Sequence, residues 1–231
     1  MKENNIFLKG GFIKIFHLFK DSFVVCLAYI PLGMGFGILA SKEIGFSIFE
    51  IFLSSLFIYA GSMQYALVGL ASSNASLFMI FFTTILVNFR HFFYTLTLLK
   101  ELKECKNPFK HYLIFGLTDE TFALLCAKKY SDNEKILLAF INQSYWIFGS
   151  VLGGIFTQKL SLDFNGLDFT LIAFFTVLAL ELIKTSAKST LVCSVILALV
   201  SLFFIKQSLM LVFCLSFGAL FLAVFYKKRI R

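Results

Sequence analysis

The chain has 231 residues, of which 59% are hydrophobic and 15% charged, with a mean hydropathy of +0.87 and a formal net charge of +8. Soluble domains carry roughly 45–50% apolar and about 25% charged residues, so both a soluble globule and a disordered chain are excluded. Five cysteines without a CxxC exclude a disulfide scaffold, and the 21 basic residues sit in short clusters between apolar runs, not in one nucleic-acid-binding patch.

Residues 1–21 read as an amphipathic cytoplasmic segment. Lys14, His17 and Lys20 recur every three residues among Phe12, Ile13, Ile15, Phe16, Leu18 and Phe19, a basic stripe on a helix lying at the membrane surface. No A-x-A site follows, so the segment is not read as a cleavable signal peptide.

Residues 22–226 read as one transmembrane domain, followed by a basic cytoplasmic tail at 227–231. A helical span needs ~20 apolar residues, and the runs lack the alternation of barrel strands. Stretches 22–41, 76–99, 135–157, 168–183, 188–205 and 208–226 meet that length requirement. Two more are interrupted: 46–71 by Ala60-Gly61-Ser62-Met63-Gln64, and 112–127 by Thr118-Asp119-Glu120. The expected fold is therefore an all-α membrane helix bundle of about 6–8 hydrophobic segments, one or two of them broken or re-entrant.

Loop charge arbitrates between these counts. If both interrupted stretches turn back, all but four of the 21 basic residues fall inside; Lys42, Lys159 and Lys206 lie outside and Arg90 in the membrane. With one interrupted stretch spanning, seven crossings result and one terminus lies outside. Tyr29, Gly33 and Gly37 share their spacing with Tyr145, Gly149 and Gly153. Both sets have the small-xxx-small form of membrane helix contacts, and packing explains the match as well as an internal repeat does. Pro31 and the glycines after it are expected to kink the first span.

The candidate functional residues lie at membrane depth. Arg90, in Asn88-Phe89-Arg90-His91, offers a planar fork of donors suited to a carboxylate, or it pairs with an acid to hold helices together. His91 is a candidate proton relay or a hydrogen-bonded core residue. Asp119 and Glu120 leave a helix about 100° apart, so one can pair with Arg90 while the other exchanges protons. Gly61, Ser62 and Gln64 mark a broken helix whose free N–H groups suit an anionic ligand group, or a tight packing site. Asn142, Gln143 and Ser144 form another polar knot, and Glu181 pairs with Lys184 at the interface. No HExxH, GxSxG or His/Cys/Asp cluster occurs, so neither enzymatic activity nor a cofactor or metal is expected.

Ile30-Pro31-Leu32-Gly33, Phe36-Gly37, Tyr59 to Gln64, Asn88 to His91 and Thr118-Asp119-Glu120 occur in the order seen in the AzlC family, and Asp168-Phe169, Ala173-Phe174-Phe175 and Leu178 resemble its later block. The resemblance covers about residues 15–225. It implies the large subunit of a branched-chain amino acid exporter, driven by a proton gradient or the membrane potential. It also implies a separate small AzlD-like membrane subunit and a bacterial inner-membrane location. Within that reading Arg90, Gly61, Ser62, Gln64 and Asn88 bind substrate, while Asp119, Glu120 and His91 couple protons or form an ion pair. A non-transporting assembly or sensor subunit, with buried charges that only lock helices, is the alternative.

Overall fold

The structure is a computed structural model that describes residues 15–105, 107–160 and 188–205, with single residues between 176 and 220. The expected span 168–183, the Glu181–Lys184 pair, most of 208–226 and the tail lie outside the described residues. Among the described residues there is no strand. After a helical stretch at 15–21 come α1 (Phe23–Glu43), α2 (Ile48–Phe57), α3 (Gly61–Ser72), α4 (Leu77–Thr97) and α5 (Leu99–Glu104). Then follow α6 (Lys110–Phe115), α7 (Asp119–Ala127), α8 (Asp132–Leu160) and α9 (Lys188–Phe204). Among the described residues α1, α4 and α8 are long and apolar enough to cross a membrane. The protein is an all-α membrane helix bundle.

The chain forms two compact units. One comprises residues 1–61 and 90–163, the other 62–89 and 164–231. In the first unit α1 and α8 form the central pair. Gly33 and Gly37 of α1 press against the backbone of α8 at Trp146 and Ser150, and Gly149 and Gly153 of α8 press against α1 at Ile30 and Met34. A Cβ on Gly33 would sit 2.8 Å from the Trp146 carbonyl oxygen, and one on Gly149 only 2.5 Å from that of Ile30. Glycine is required because backbone meets backbone, which leaves no side chain that could yield. α1 runs unbroken through Pro31.

The partners also give direction. Ile30 meets Gly149, Met34 meets Gly153, and Gln158 Nε2 donates to Ser41 Oγ at 2.8 Å and to the Phe46 carbonyl at 2.7 Å. Positions advance together, so the two helices run parallel.

Both stretches are broken in the structure. α2 ends at Phe57 and α3 begins at Gly61, with Tyr59 held at φ +39° between them. α2, α6 and α7 have 10, 6 and 9 residues. At 1.5 Å per residue each is about 15 Å or shorter, half a bilayer core of about 30 Å. α2 starts with a capping box: Ser47 accepts from the Glu50 N–H and Glu50 accepts from the Ser47 N–H. Gly45, at φ +70°, makes the tight turn before it.

Leu18, Leu98, Leu102, Leu113, Leu117, Leu125, Leu138, Ala139 and Ile141 form one apolar cluster of the first unit. A polar anchor ties its N-terminal end. Asp21 pairs with Lys128 and accepts from Tyr130 Oη at 3.0 Å. The Lys128 ammonium, with help from Tyr130 and against burial, holds the Asp21 carboxyl below its ordinary range. In the second unit Gln64 and Tyr65 of α3 are fully buried, and Cys214 Sγ lies 3.1 Å from Ser201 Oγ of α9.

Two measurements check this arrangement. Gly37→Ala drives a methyl into the Ser150 carbonyl and should cost about 3 kcal/mol, read as a lowered thermal midpoint in detergent. Gly69→Ala, with nothing within 4 Å of the new methyl, should change stability by less than about 1 kcal/mol. Equal losses would contradict the backbone contact. In a cysteine-free background, cysteines placed at 42 and 159 should both label from outside and those at 20 and 132 should not. Labelling of 42 and 159 from opposite sides would contradict the parallel pair.

Candidate functional site

The first unit gathers its buried polar groups where α7 begins. Thr118 caps that helix, its hydroxyl accepting from the Thr121 N–H at 3.3 Å. Asp119 and Glu120 follow in the first turn, where the helix dipole stabilises negative charge. Being successive residues, they leave the helix in different directions and meet different neighbours.

Asp119 faces α4. One carboxylate oxygen pairs with Arg90 Nη1, and the other accepts from Tyr94 Oη at 2.5 Å. Arg90 and Tyr94 are one helical turn apart, so a single face of α4 supplies both donors. The Tyr94 ring is fixed by stacking on Phe122, centroids 4.5 Å apart, and by an edge contact with His91.

Glu120 faces α1. Its Oε2 accepts from Tyr29 Oη at 2.6 Å, and the same phenol lies 2.8 Å from Thr118 Oγ1. Thr118 Oγ1 is 3.0 Å from Thr121 Oγ1, which accepts from Asn142 Nδ2 of α8 at 3.0 Å. A continuous polar chain therefore joins α1, α7 and α8. Tyr29 also meets Trp146 edge-on at 5.6 Å, and Trp146 stacks on Phe36.

Gly61 approaches the six-membered ring of the Trp146 indole. A Cβ there would lie 3.0 Å from the indole. Gln143, beside Asn142, donates from Nε2 to the Leu56 carbonyl at 2.8 Å and accepts from Tyr112 Oη. That amide occupies one of the carbonyls that the broken helix exposes. Tyr59, in the break itself, is 3% exposed, with its hydroxyl beside Tyr29 and Thr118. Asn142 is fully buried, and its Oδ1 completes no hydrogen bond among the described residues.

The structure thus brings Arg90, His91, Asp119, Glu120 and Gly61 into one unit, with Arg90 joined to Asp119. Ser62, Gln64 and Asn88 belong to the other unit; Ser62 and Gln64 are buried there. Among the described residues no group of His, Cys, Asp and Glu could hold a metal ion. Sequence reasoning missed the tyrosines. Tyr94 carried a usable signal, one turn after Arg90, whereas nothing in the sequence links Tyr29 to Glu120. An open cavity of about 550 Å³ lies apart from this group, lined by His17, Leu18, Asp21, Lys128, Lys129, Tyr130 and Glu134.

A family model described as AzlC protein matches residues 24–160, more than half of the chain. An uncharacterized membrane protein of Helicobacter pylori is 36% identical over 220 residues, 91% of this chain and 96% of its own length. Inner membrane protein YgaZ of Escherichia coli is 35% identical over 141 residues, 58% of this chain and 57% of its own. The branched-chain amino acid transport protein AzlC of Bacillus subtilis is 29% identical over 168 residues, 71% of this chain and 65% of its own. No solved structure matches the chain.

Proposed function

The chain belongs to the AzlC family, and we propose that it is the large subunit of a secondary transporter exporting branched-chain amino acids across a bacterial inner membrane. The name of the Bacillus subtilis relative supports the substrate class, and that of the Escherichia coli relative supports the location. The observation that carries the reading is the Arg90–Asp119 pair beside the Tyr29–Glu120 link, both within otherwise apolar stretches. Charge at membrane depth is expensive and tends to mark a substrate or proton route.

Arg90 holds the substrate carboxylate by exchanging it for Asp119. A guanidinium matches any carboxylate fork, so a free amino acid competes chemically with the resident acid. Asp119 displaced from Arg90 stays bonded to Tyr94, which keeps it in place for return. Glu120 carries the coupling proton, and His91 lies one turn before Tyr94 as a relay. Gly61 keeps the broken helix open against Trp146. Ser62, Gln64 and Asn88, in the second unit, receive no assignment from this geometry. A proton gradient or the membrane potential drives export, and a small AzlD-like membrane chain completes the transporter.

The alternative, a non-transporting subunit whose charges lock helices, draws on the same pair. Arg90→Lys separates the two, since lysine keeps the charge and loses the fork. Leucine and isoleucine efflux from cells expressing the chain with its partner should fall about tenfold or more at matched membrane abundance; unchanged efflux would remove Arg90 from binding. Glu120→Gln should keep leucine counterflow at saturating substrate and lose gradient-driven efflux. Retention of both would remove Glu120 from coupling.

A further inference from the structure

We propose that Gln143 is a positioning residue of the transport cycle: one side-chain amide pins both broken stretches, 46–71 and 112–127, to α8, so that neither shifts without the other. The assignment rests on the transport reading above and adds residues which that reading leaves unused. All of the groups involved belong to the first unit.

α8 turns one face towards both breaks. Ala139, Gln143 and Trp146 follow the i, i+4, i+7 spacing of a single helix face. Ala139 meets the second break: a Cβ on Gly116, which caps α6, would sit 3.0 Å from its methyl. Trp146 meets the first break at Gly61. Gln143 lies between them, 3% exposed, and bonds to both stretches. Its Nε2 donates to the Leu56 carbonyl at 2.8 Å, and its Oε1 accepts from Tyr112 Oη of α6. The breaks also touch each other. The Tyr59 ring lies 6.1 Å from that of Phe115, and the Tyr59 hydroxyl lies beside Thr118.

The two bonds answer different needs. Leu56 stands in the last turn of α2, and in an unbroken helix its carbonyl would accept from the N–H of Ala60. The chain instead turns the Ile58 and Tyr59 N–H groups back onto the Ser54 carbonyl, at 2.9 and 3.4 Å. Gln143 therefore supplies the Leu56 carbonyl with the donor that the break removes. The Tyr112 hydroxyl holds the other end of the amide and fixes the way it points. Shifting α2 alone, or α6 alone, would leave one end of a buried amide unmet, which native interiors avoid. The least costly motion keeps both bonds and carries the two breaks together. Gln143 and Tyr112 stand outside the Arg90–Asp119 pair and the Tyr29–Glu120 link, so their loss should change the rate of the cycle more than the affinity for substrate.

Trp146, the single tryptophan, lies one turn after Gln143 against Gly61 and reports the first break through quenching by acrylamide. In the purified full-length chain, Gln143→Leu should raise the quenching constant about twofold or more. Tyr112→Phe deletes one oxygen on α6, keeps the ring contacts with Phe115 and Phe140, and should raise it likewise. The double variant should go no further than Gln143→Leu alone. Tyr145→Phe removes a phenol oxygen of α8 that lies beside Ser22 instead, and should leave quenching unchanged. In proteoliposomes holding the chain and its partner, the maximal rate of leucine counterflow should fall about tenfold in Gln143→Leu and in Tyr112→Phe, with the half-saturating concentration within about threefold of wild type. Wild-type quenching in Tyr112→Phe would overturn the link, as would additive effects or an equal rise in Tyr145→Phe. An unchanged counterflow rate in Tyr112→Phe, or a loss of affinity alone, would overturn the positioning role. A wild-type chain without counterflow would overturn the transport reading and the role in the cycle with it, while quenching still decides the link between the breaks.

Discussion

The close approach of α1 and α8 is the constraint on which the first unit depends. Glycines at Gly33, Gly37, Gly149 and Gly153 let the two backbones meet without intervening side chains. In a membrane this contact gains little from hydrophobic burial, because lipid is as apolar as leucine; it rests on van der Waals fit and on the polar groups the fit brings together. The fit sets Tyr29 against Trp146 and, through Thr118 and Thr121, within one polar chain of Asn142. A pair of helices held farther apart would leave those groups in lipid, unsatisfied.

The second feature is the division of labour between Asp119 and Glu120. Two adjacent carboxylates would repel each other at membrane depth if both faced one cavity. The helix separates them by a third of a turn, and each finds a different helix: Asp119 meets Arg90 and Tyr94 on α4, Glu120 meets Tyr29 on α1. One acid is neutralised by a cation and the other is held by a neutral phenol.

Legibility in the sequence follows the same physics. The long helices α1, α4 and α8 are readable from hydropathy alone, because an apolar run of membrane length has no other home. The break before Gly61 and the cap at Thr118 are readable too, from small and polar residues set in apolar runs. The parallel direction of α1 and α8 is not readable from loop charge; only the paired positions reveal it. The tyrosines resist reading for another reason. A phenol in an apolar segment counts as packing until its partner is known, and the partners of Tyr29 and Tyr59 lie in other segments of the chain. Asn142 shows as a polar residue in a span, but its orphaned oxygen is a property of the assembled unit.

The contact between α1 and α8 has a further regularity. Gly33 against Trp146 is mirrored by Gly149 against Ile30, and Gly37 against Ser150 by Gly153 against Met34. Exchanging the two helices maps each contact onto its mate, so the pair has a local two-fold axis running along its length. The shared spacing of Tyr29-Gly33-Gly37 and Tyr145-Gly149-Gly153 is the sequence trace of that symmetry. The symmetry fails at the tyrosines. Tyr29 donates to Glu120, whereas the Tyr145 hydroxyl lies 3.2 Å from the small hydroxyl of Ser22. Equivalent positions on a symmetric scaffold thus meet a carboxylate on one side and a serine on the other. The packing itself needs no such difference. The asymmetry belongs to the polar groups added around the scaffold, Glu120 on one side and Ser22 on the other.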